Sequence, residues 1–122
     1  MKNFPFGSVA GAAHAVPAST IEAAYQTLQS ESYAAHVNLL VSPLTPAGDP
    51  AVPASQYGGD YSTPLGIQIR HDFDAWLKTT ALYDPLLDFA AAVQSPSDRD
   101  EMAPSLDSGD HLHPSATGQR AM

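Results

Sequence analysis

The C-terminal segment of the chain carries an acid and a histidine at a spacing that suits general acid–base chemistry. Asp110 and His113 are three residues apart, in a turn that contains Gly109 and is followed by Pro114. An imidazole acts as a base on a hydroxyl when a carboxylate holds its other nitrogen, because the carboxylate fixes the tautomer and stabilises the imidazolium. By spacing alone, a turn aspartate beside an unrelated histidine is the favoured interpretation.

The same segment contains residue types that bind metal ions. Its carboxylates and imidazoles belong to Asp107, Asp110, His111 and His113. A dedicated site needs three or four ligands that converge and are supported by further hydrogen bonds. A metal-dependent module is therefore the weaker alternative. We expect the side chain of His111 to point away from that of His113 and to serve a surface or packing role.

The residues around this pair resemble the last conserved block of the GDSL/SGNH hydrolases, a family of serine esterases and lipases. Residues 108–114 read Ser-Gly-Asp-His-Leu-His-Pro, and Gly118, Arg120, Ala121 and Met122 follow. The match is specific over residues 107–122 and looser over residues 83–89, 42–46 and 20–41. The resemblance implies ester hydrolysis without a metal or organic cofactor, with His113 as the base and Asp110 as its orienting acid.

The family's nucleophile block, Gly-Asp-Ser, and its oxyanion block, Gly-x-Asn-Asp, are missing from this sequence. Gly59-Asp60-Tyr61 has tyrosine in place of the serine, and the segment around Ser8 is not a Gly-x-Ser-x-Gly elbow. No motif supports Ser42, Ser105 or Ser108. We therefore interpret the chain as the C-terminal part of such an enzyme, nearly inactive when isolated. The alternative is a non-catalytic binding or interaction module derived from the same fold.

Two local signals predict the main helices. Ser19 and Glu22 have the spacing of a capping box, and a helix should follow with one apolar face formed by Ile21, Tyr25, Leu28 and Ala35. Thr63 before Pro64 predicts the start of a second helix that runs to about residue 80. Its buried side should comprise Ile69, Phe73, Trp76 and Leu77, and its more exposed side Arg70, Asp74 and Lys78.

The apolar runs at residues 37–41 and 86–89 predict short buried strands. A helix between two such strands is the βαβ pattern, so we expect an α/β fold with short parallel strands between helices. The resemblance makes this the C-terminal portion of the three-layer flavodoxin-like fold of SGNH hydrolases. We expect Asp88 to be a structural cap or a solvated acid, residues 98–101 to form a solvated face, and Pro114 to begin a last helix.

Residues 1–122 are interpreted as one partial domain, in which residues 1–18 form a loop or arm and residues 42–63 a long loop. Tyr57 and Tyr61 in that loop are candidates for lining a substrate cleft or for packing the loop onto the body. The N-terminal residues imitate a signal peptide, but Pro5, Gly7 and Gly11 interrupt the apolar stretch, which favours a loop. An incomplete sheet would expose an edge through which the chain could self-associate.

The charge composition narrows the range of partners. Thirteen acidic residues against five Lys and Arg give a net charge of −8, which repels phosphate backbones and argues against nucleic acid. No stretch approaches the roughly 20 apolar residues of a transmembrane helix, and the absence of cysteine excludes disulfides. The expected partner is a small-molecule or lipid ester. The compartment is unreadable from these residues, and only the family resemblance suggests secretion.

Overall fold

The computed structural model describes residues 16–48, 59–83 and 85–122 and places four α-helices and one short 3₁₀-helix in them. In chain order these are α1 (Ala18–Ala34), the 3₁₀-helix (Gly59–Ser62), α2 (Pro64–Thr79), α3 (Phe89–Val93) and α4 (Ala116–Ala121). Helices α1 and α2 pack against each other around the main apolar core.

The α/β fold predicted from the sequence is wrong. Within the described part of the chain there is no β-sheet, and β-type pairing is limited to two isolated antiparallel bridges. These bridges join Gln94 to Met102 and Asp107 to Pro114. The parallel strands of the flavodoxin-like fold are therefore not found there. The described ranges contain no sheet edge through which the expected self-association could occur.

The two predicted strands lie side by side without forming a ladder. The amide of Leu87 donates to the carbonyl of Val41 at 2.9 Å, but a ladder needs this exchange to repeat along both segments. Val37 and Leu40 are 59% and 58% exposed, so the first apolar run is not a strand buried on both faces. The second run is interrupted because Phe89 begins α3. Both segments are irregular connections.

Helix α1 forms where the sequence predicts a helix, but its start differs from the predicted one. Pro17 is the N-cap, no side chain caps the helix, and Ser19 and Glu22 both lie inside it. The capping box is therefore wrong. A proline is suited to this helix start because it has a fixed φ angle and no N–H to satisfy. Of the predicted face, Ile21 is buried, whereas Leu28 is 42% exposed.

Helix α2 begins as predicted. The Thr63 hydroxyl oxygen accepts a hydrogen bond from the Gly66 amide at 3.0 Å, and Pro64 occupies the first turn. Ile69, Phe73 and Leu77 are buried on one face. This face packs against α1 and positions the polar residues on the other side of α2.

All three residues predicted to lie on the more exposed side of α2 make tertiary contacts. Arg70 forms an ion pair with Asp100, and its side chain is only 12% exposed. A carboxylate oxygen of Asp74 accepts a hydrogen bond from the Leu44 amide at 2.8 Å. Burial raises the pKa of Asp74 above its ordinary value, and the Leu44 hydrogen bond opposes that shift. Lys78 pairs with Asp88 at 2.9 Å.

Aromatic rings fill the contact between α1 and α2. The fully buried ring of Phe73 meets Tyr25 edge-on at a centroid distance of 4.9 Å and stacks on Trp76 at 5.8 Å. The Tyr83 hydroxyl donates to the Tyr25 carbonyl at 2.6 Å and ties the segment after α2 to α1. Phe73 is therefore the centre of the core.

Residues 98–101 do not form the solvated face that the sequence predicts. The Asp100 carboxylate accepts hydrogen bonds from Arg70 and from His71 Nε2, and so fastens this segment to α2. Arg99 donates to His71 Nδ1 at 3.1 Å, so both imidazole nitrogens are used. Partial burial opposes ionisation of Asp100, but the bonds from His71 and Arg70 outweigh it and hold the pKa below its ordinary value.

Two short helices frame the C-terminal segment. The Asp88 carboxylate accepts from the Ala91 amide at 2.9 Å and caps α3, as expected for a structural cap. The last helix begins two residues later than predicted, at Ala116, because Ser115 is the cap and accepts from the Gly118 amide at 3.2 Å. The described residues contain no helix that is long and apolar enough to cross a membrane.

Gly118 is expected to be indispensable for docking α4 against the tail. A Cβ atom added there would overlap the Leu106 carbonyl oxygen and approach the Pro114 ring at 2.9 Å. Gly118→Ala should therefore lower the free energy of unfolding by about 1–3 kcal/mol, as overpacking does, in urea titrations. Thr117→Ala, an exposed change in the same helix, is the control. Equal stability of the two variants would contradict the close packing.

Candidate acid–base site

The candidate site is a turn of residues 107–114 that its own hydrogen bonds close. The Ser108 amide donates to the His113 carbonyl at 3.0 Å, next to the bridge between Asp107 and Pro114. Gly109 has a φ of 100°, a left-handed conformation that glycine adopts without steric cost. The turn therefore holds the two predicted site residues on a defined backbone.

Asp107 organises the inner side of the turn. Its side chain is only 7% exposed. One carboxylate oxygen accepts hydrogen bonds from the amides of Gly109 at 2.8 Å and His111 at 3.1 Å. The other oxygen pairs with Nδ1 of His111 at 2.9 Å. From the sequence, Asp107 is predicted only as a possible metal ligand. The Asp-x-Gly spacing of an Asx-type turn was the signal that could have identified this role.

The structure brings Asp110 and His113 together. His113 Nδ1 lies 2.6 Å from one carboxylate oxygen of Asp110. The other oxygen accepts from the Ser108 hydroxyl at 2.9 Å and from the amides of Leu112 at 3.0 Å and His113 at 2.8 Å. The carboxylate is thus fixed by its own turn. A fixed carboxylate in turn fixes the orientation of the imidazole.

These contacts keep Asp110 ionised. The hydrogen bond from the His113 side chain, followed by that from the His113 amide, holds the pKa of Asp110 well below its ordinary value. The Leu112 amide and the Ser108 hydroxyl act in the same direction, and slight burial opposes them. A carboxylate that remains charged can stabilise a positive charge that develops on the imidazole.

The lowered pKa predicts how Asp110 contributes to stability as the pH changes. Because the folded pKa lies below the unfolded one, the contribution is present above about pH 4. It is lost as the pH falls through the folded pKa. The difference in the free energy of unfolding between the native chain and Asp110→Asn should therefore shrink as the pH falls from about 4 towards the folded pKa of Asp110. Urea titrations across the acid range measure it, and a difference that does not change with pH would contradict the account.

The imidazole ring of His113 is largely exposed to solvent. The side chain is 69% exposed, and none of the described residues forms a hydrogen bond with Nε2. With Nδ1 occupied by Asp110, Nε2 is the atom available to take a proton from an incoming molecule. The arrangement is therefore that of an oriented general base on an accessible surface.

Two other histidines also pair with aspartates but in different settings. His111 has a φ of 59°, its carbonyl accepts from the Gly48 amide, and its ring is tied to Asp107. It fastens the turn to residue 48, which agrees with the packing role predicted for it. His71 is held by Asp100 and Arg99 through its two nitrogens.

The hydroxyls of Ser42, Ser108 and Ser115 have structural roles. The Ser108 hydroxyl donates to Asp110, the Ser115 hydroxyl caps α4, and the Ser42 hydroxyl accepts from the Phe89 amide at 3.3 Å. No hydrogen bond within the described ranges joins a serine to His113 Nε2. Ser8 and Tyr57 lie outside the described residues.

The four residues considered as metal ligands separate into two pairs, Asp107 with His111 and Asp110 with His113. In residues 16–48, 59–83 and 85–122, no three or more His, Asp or Glu side chains are placed to hold a metal ion. The geometry therefore supports acid–base chemistry more directly than metal binding.

No protein-family model and no curated protein matches this chain. The relationship to the GDSL/SGNH hydrolases consequently remains a prediction from the tail sequence.

Proposed function

We propose that Asp110 and His113 are the acid and base of a serine ester hydrolase of the GDSL/SGNH type, an esterase or lipase. The observation that carries the proposal is the 2.6 Å contact between His113 Nδ1 and Asp110, together with the exposure of the imidazole. The tail sequence, Ser-Gly-Asp-His-Leu-His-Pro, supports it independently. The substrate is a small-molecule or lipid ester.

The proposed reaction assigns each ring nitrogen of His113 a separate task. Nε2 takes the proton of a serine hydroxyl as its oxygen forms a bond to the ester carbonyl carbon. When the tetrahedral intermediate collapses, the bond to the alcohol breaks and Nε2 returns the proton to that alcohol. A water molecule then repeats the cycle on the acyl-serine. Asp110 stays ionised throughout and stabilises the imidazolium through Nδ1–H.

The serine is the part of this machinery that the described residues do not place beside His113. In the proposal it comes from a second polypeptide. A non-catalytic binding or interaction module is the alternative, and the structural use of Ser42, Ser108 and Ser115 favours it. The two functions differ in whether His113 moves a proton.

Supplying the missing hydroxyl as a small molecule tests the proposal on the chain as it exists. The purified chain is mixed with p-nitrophenyl butyrate and N-acetylserinamide, which carries the serine side chain. Faster release of nitrophenol and formation of the butyryl ester of N-acetylserinamide are expected, relative to the same mixture without protein. A fluorophosphonate probe added in parallel shows whether the chain contains an activated serine of its own.

Each outcome decides between the two functions. Acyl transfer to the added hydroxyl, or labelling of one serine with accompanying ester turnover, supports the hydrolase. Rates equal to the protein-free mixture, without labelling, would reject the hydrolase in favour of the non-catalytic module.

A further inference from the structure

A small cavity lies against the turn that carries His113. Its volume is about 130 Å³, and its walls include Leu44, Ala47, Tyr61, Gly66 and Leu112. The lining is mostly apolar. Burial raises the pKa of Tyr61, so this phenol remains neutral near pH 7. Nothing in the proposed proton transfer requires this cavity, and its chemistry suits an uncharged apolar group.

The cavity wall includes a sequence neighbour of the candidate base. Leu112 forms part of its wall and is the residue directly before His113, and the Leu112 amide is held by Asp110 at 3.0 Å. The Gly48 amide donates to the His111 carbonyl and fastens the loop of residues 42–48, which supplies the wall residues Leu44 and Ala47, to the same turn. An apolar group in the cavity would therefore contact the residue next to the base.

Arg70 is the one charged residue among the described residues of the wall, and its charge is already paired. The guanidinium of Arg70 is paired with Asp100, and the arginine side chain is 12% exposed. Its aliphatic stem can line an apolar space while the charged end is engaged elsewhere. This excludes an anion-binding role as the main use of the cavity and favours a hydrocarbon chain.

The volume limits the length of that chain. An apolar cavity of roughly 150 Å³ accommodates one benzene molecule, so the present cavity has room for about four or five carbon atoms. We infer that this cavity binds the acyl chain of the ester and restricts the preferred substrates to short-chain acyl esters. The inference rests on the proposed function for the identity of the ligand, but binding itself does not require catalysis.

Amides of increasing chain length test the inference without any turnover. Acetamide, propionamide, butyramide, hexanamide and octanamide are titrated into the ¹⁵N-labelled chain and followed by NMR. Affinity should rise about fourfold for each methylene that is buried and should stop rising beyond four or five carbons. The shifted amide signals should include those of Thr45, Gly66 and Leu112.

Substitutions that fill the cavity provide the second arm. Ala47→Leu, and Thr45→Leu in case the first variant does not fold, should abolish the butyramide shifts. Ala75→Leu makes the same change as the first variant on the exposed side of α2 and should leave the shifts intact. An affinity that keeps rising to octanamide, or shifts confined to other residues, would overturn the inference. Normal amide binding without ester turnover would instead reject the hydrolase and leave the cavity assignment standing.

Discussion

Replacement of His113 by alanine is expected to lower acyl transfer from p-nitrophenyl butyrate to N-acetylserinamide about 10²- to 10⁴-fold, the usual contribution of a general base. The loss follows because the ring is 69% exposed and Asp110 holds Nδ1, which leaves Nε2 to act as the base. Initial rates, corrected for the reaction without protein, measure the effect. If His113 accounts for all of the catalysis, the rate with the variant should equal the rate of the mixture without protein.

His111→Ala is the matched control for this experiment. It removes an imidazole that is also paired with an aspartate in the same turn, at 2.9 Å from Asp107. The bond that fastens the turn to Gly48 is accepted by the backbone carbonyl of His111, which alanine retains, and the ring is not assigned a proton-transfer role. This variant should therefore keep a rate close to that of the native chain. Equal losses in the two variants would show that the turn as a whole, or non-specific imidazole chemistry, is responsible.

The largest expected effect on stability comes from Phe73→Ala, which should lower the free energy of unfolding by about 3–5 kcal/mol. The ring is fully buried and contacts Tyr25 and Trp76, so its removal leaves a cavity between α1 and α2. Small domains are stable by only about 5–15 kcal/mol. Urea titration monitored by the fluorescence of Trp76 should therefore show a much lower midpoint.

Leu82→Ala is the control for the core prediction because the leucine is 39% exposed. A surface change of this kind should alter the free energy of unfolding by no more than about 0.5 kcal/mol. If the two variants were equally destabilised, the assignment of Phe73 to the centre of the core would be wrong.

The predicted and observed folds agree where the sequence signals lie within one segment and differ where an element depends on a distant segment. The Thr63–Pro64 start of α2 and the spacing of Ile69, Phe73 and Leu77 are contained in one segment, so the sequence predicts that helix correctly. The run at residues 37–41 is apolar, but a strand also needs a partner along its whole length. In the structure this run shares one backbone hydrogen bond with the segment at Leu87. The apolar run alone does not show whether a pairing segment is present along its whole length.

The candidate site divides in the same way. The three-residue spacing of Asp110 and His113 is local and made their pairing predictable. The ion pair between Arg70 and Asp100 joins residues 30 positions apart, and no local sequence pattern in either segment predicts it. The local role of Asp107 was missed for another reason, because its carboxylate was considered as a ligand and not as the organiser of a turn.

The central claim is that Asp110 fixes the tautomer of His113 so that Nε2 is free to act as a base. Nitrogen-15 NMR of the labelled imidazole, at a pH where the ring is neutral, measures this directly. We expect the proton to reside on Nδ1 in the native chain, and we expect Asp110→Asn to shift the population towards the Nε2–H tautomer. A native His113 that carries its proton on Nε2, or that is unaffected by Asp110→Asn, would contradict the account.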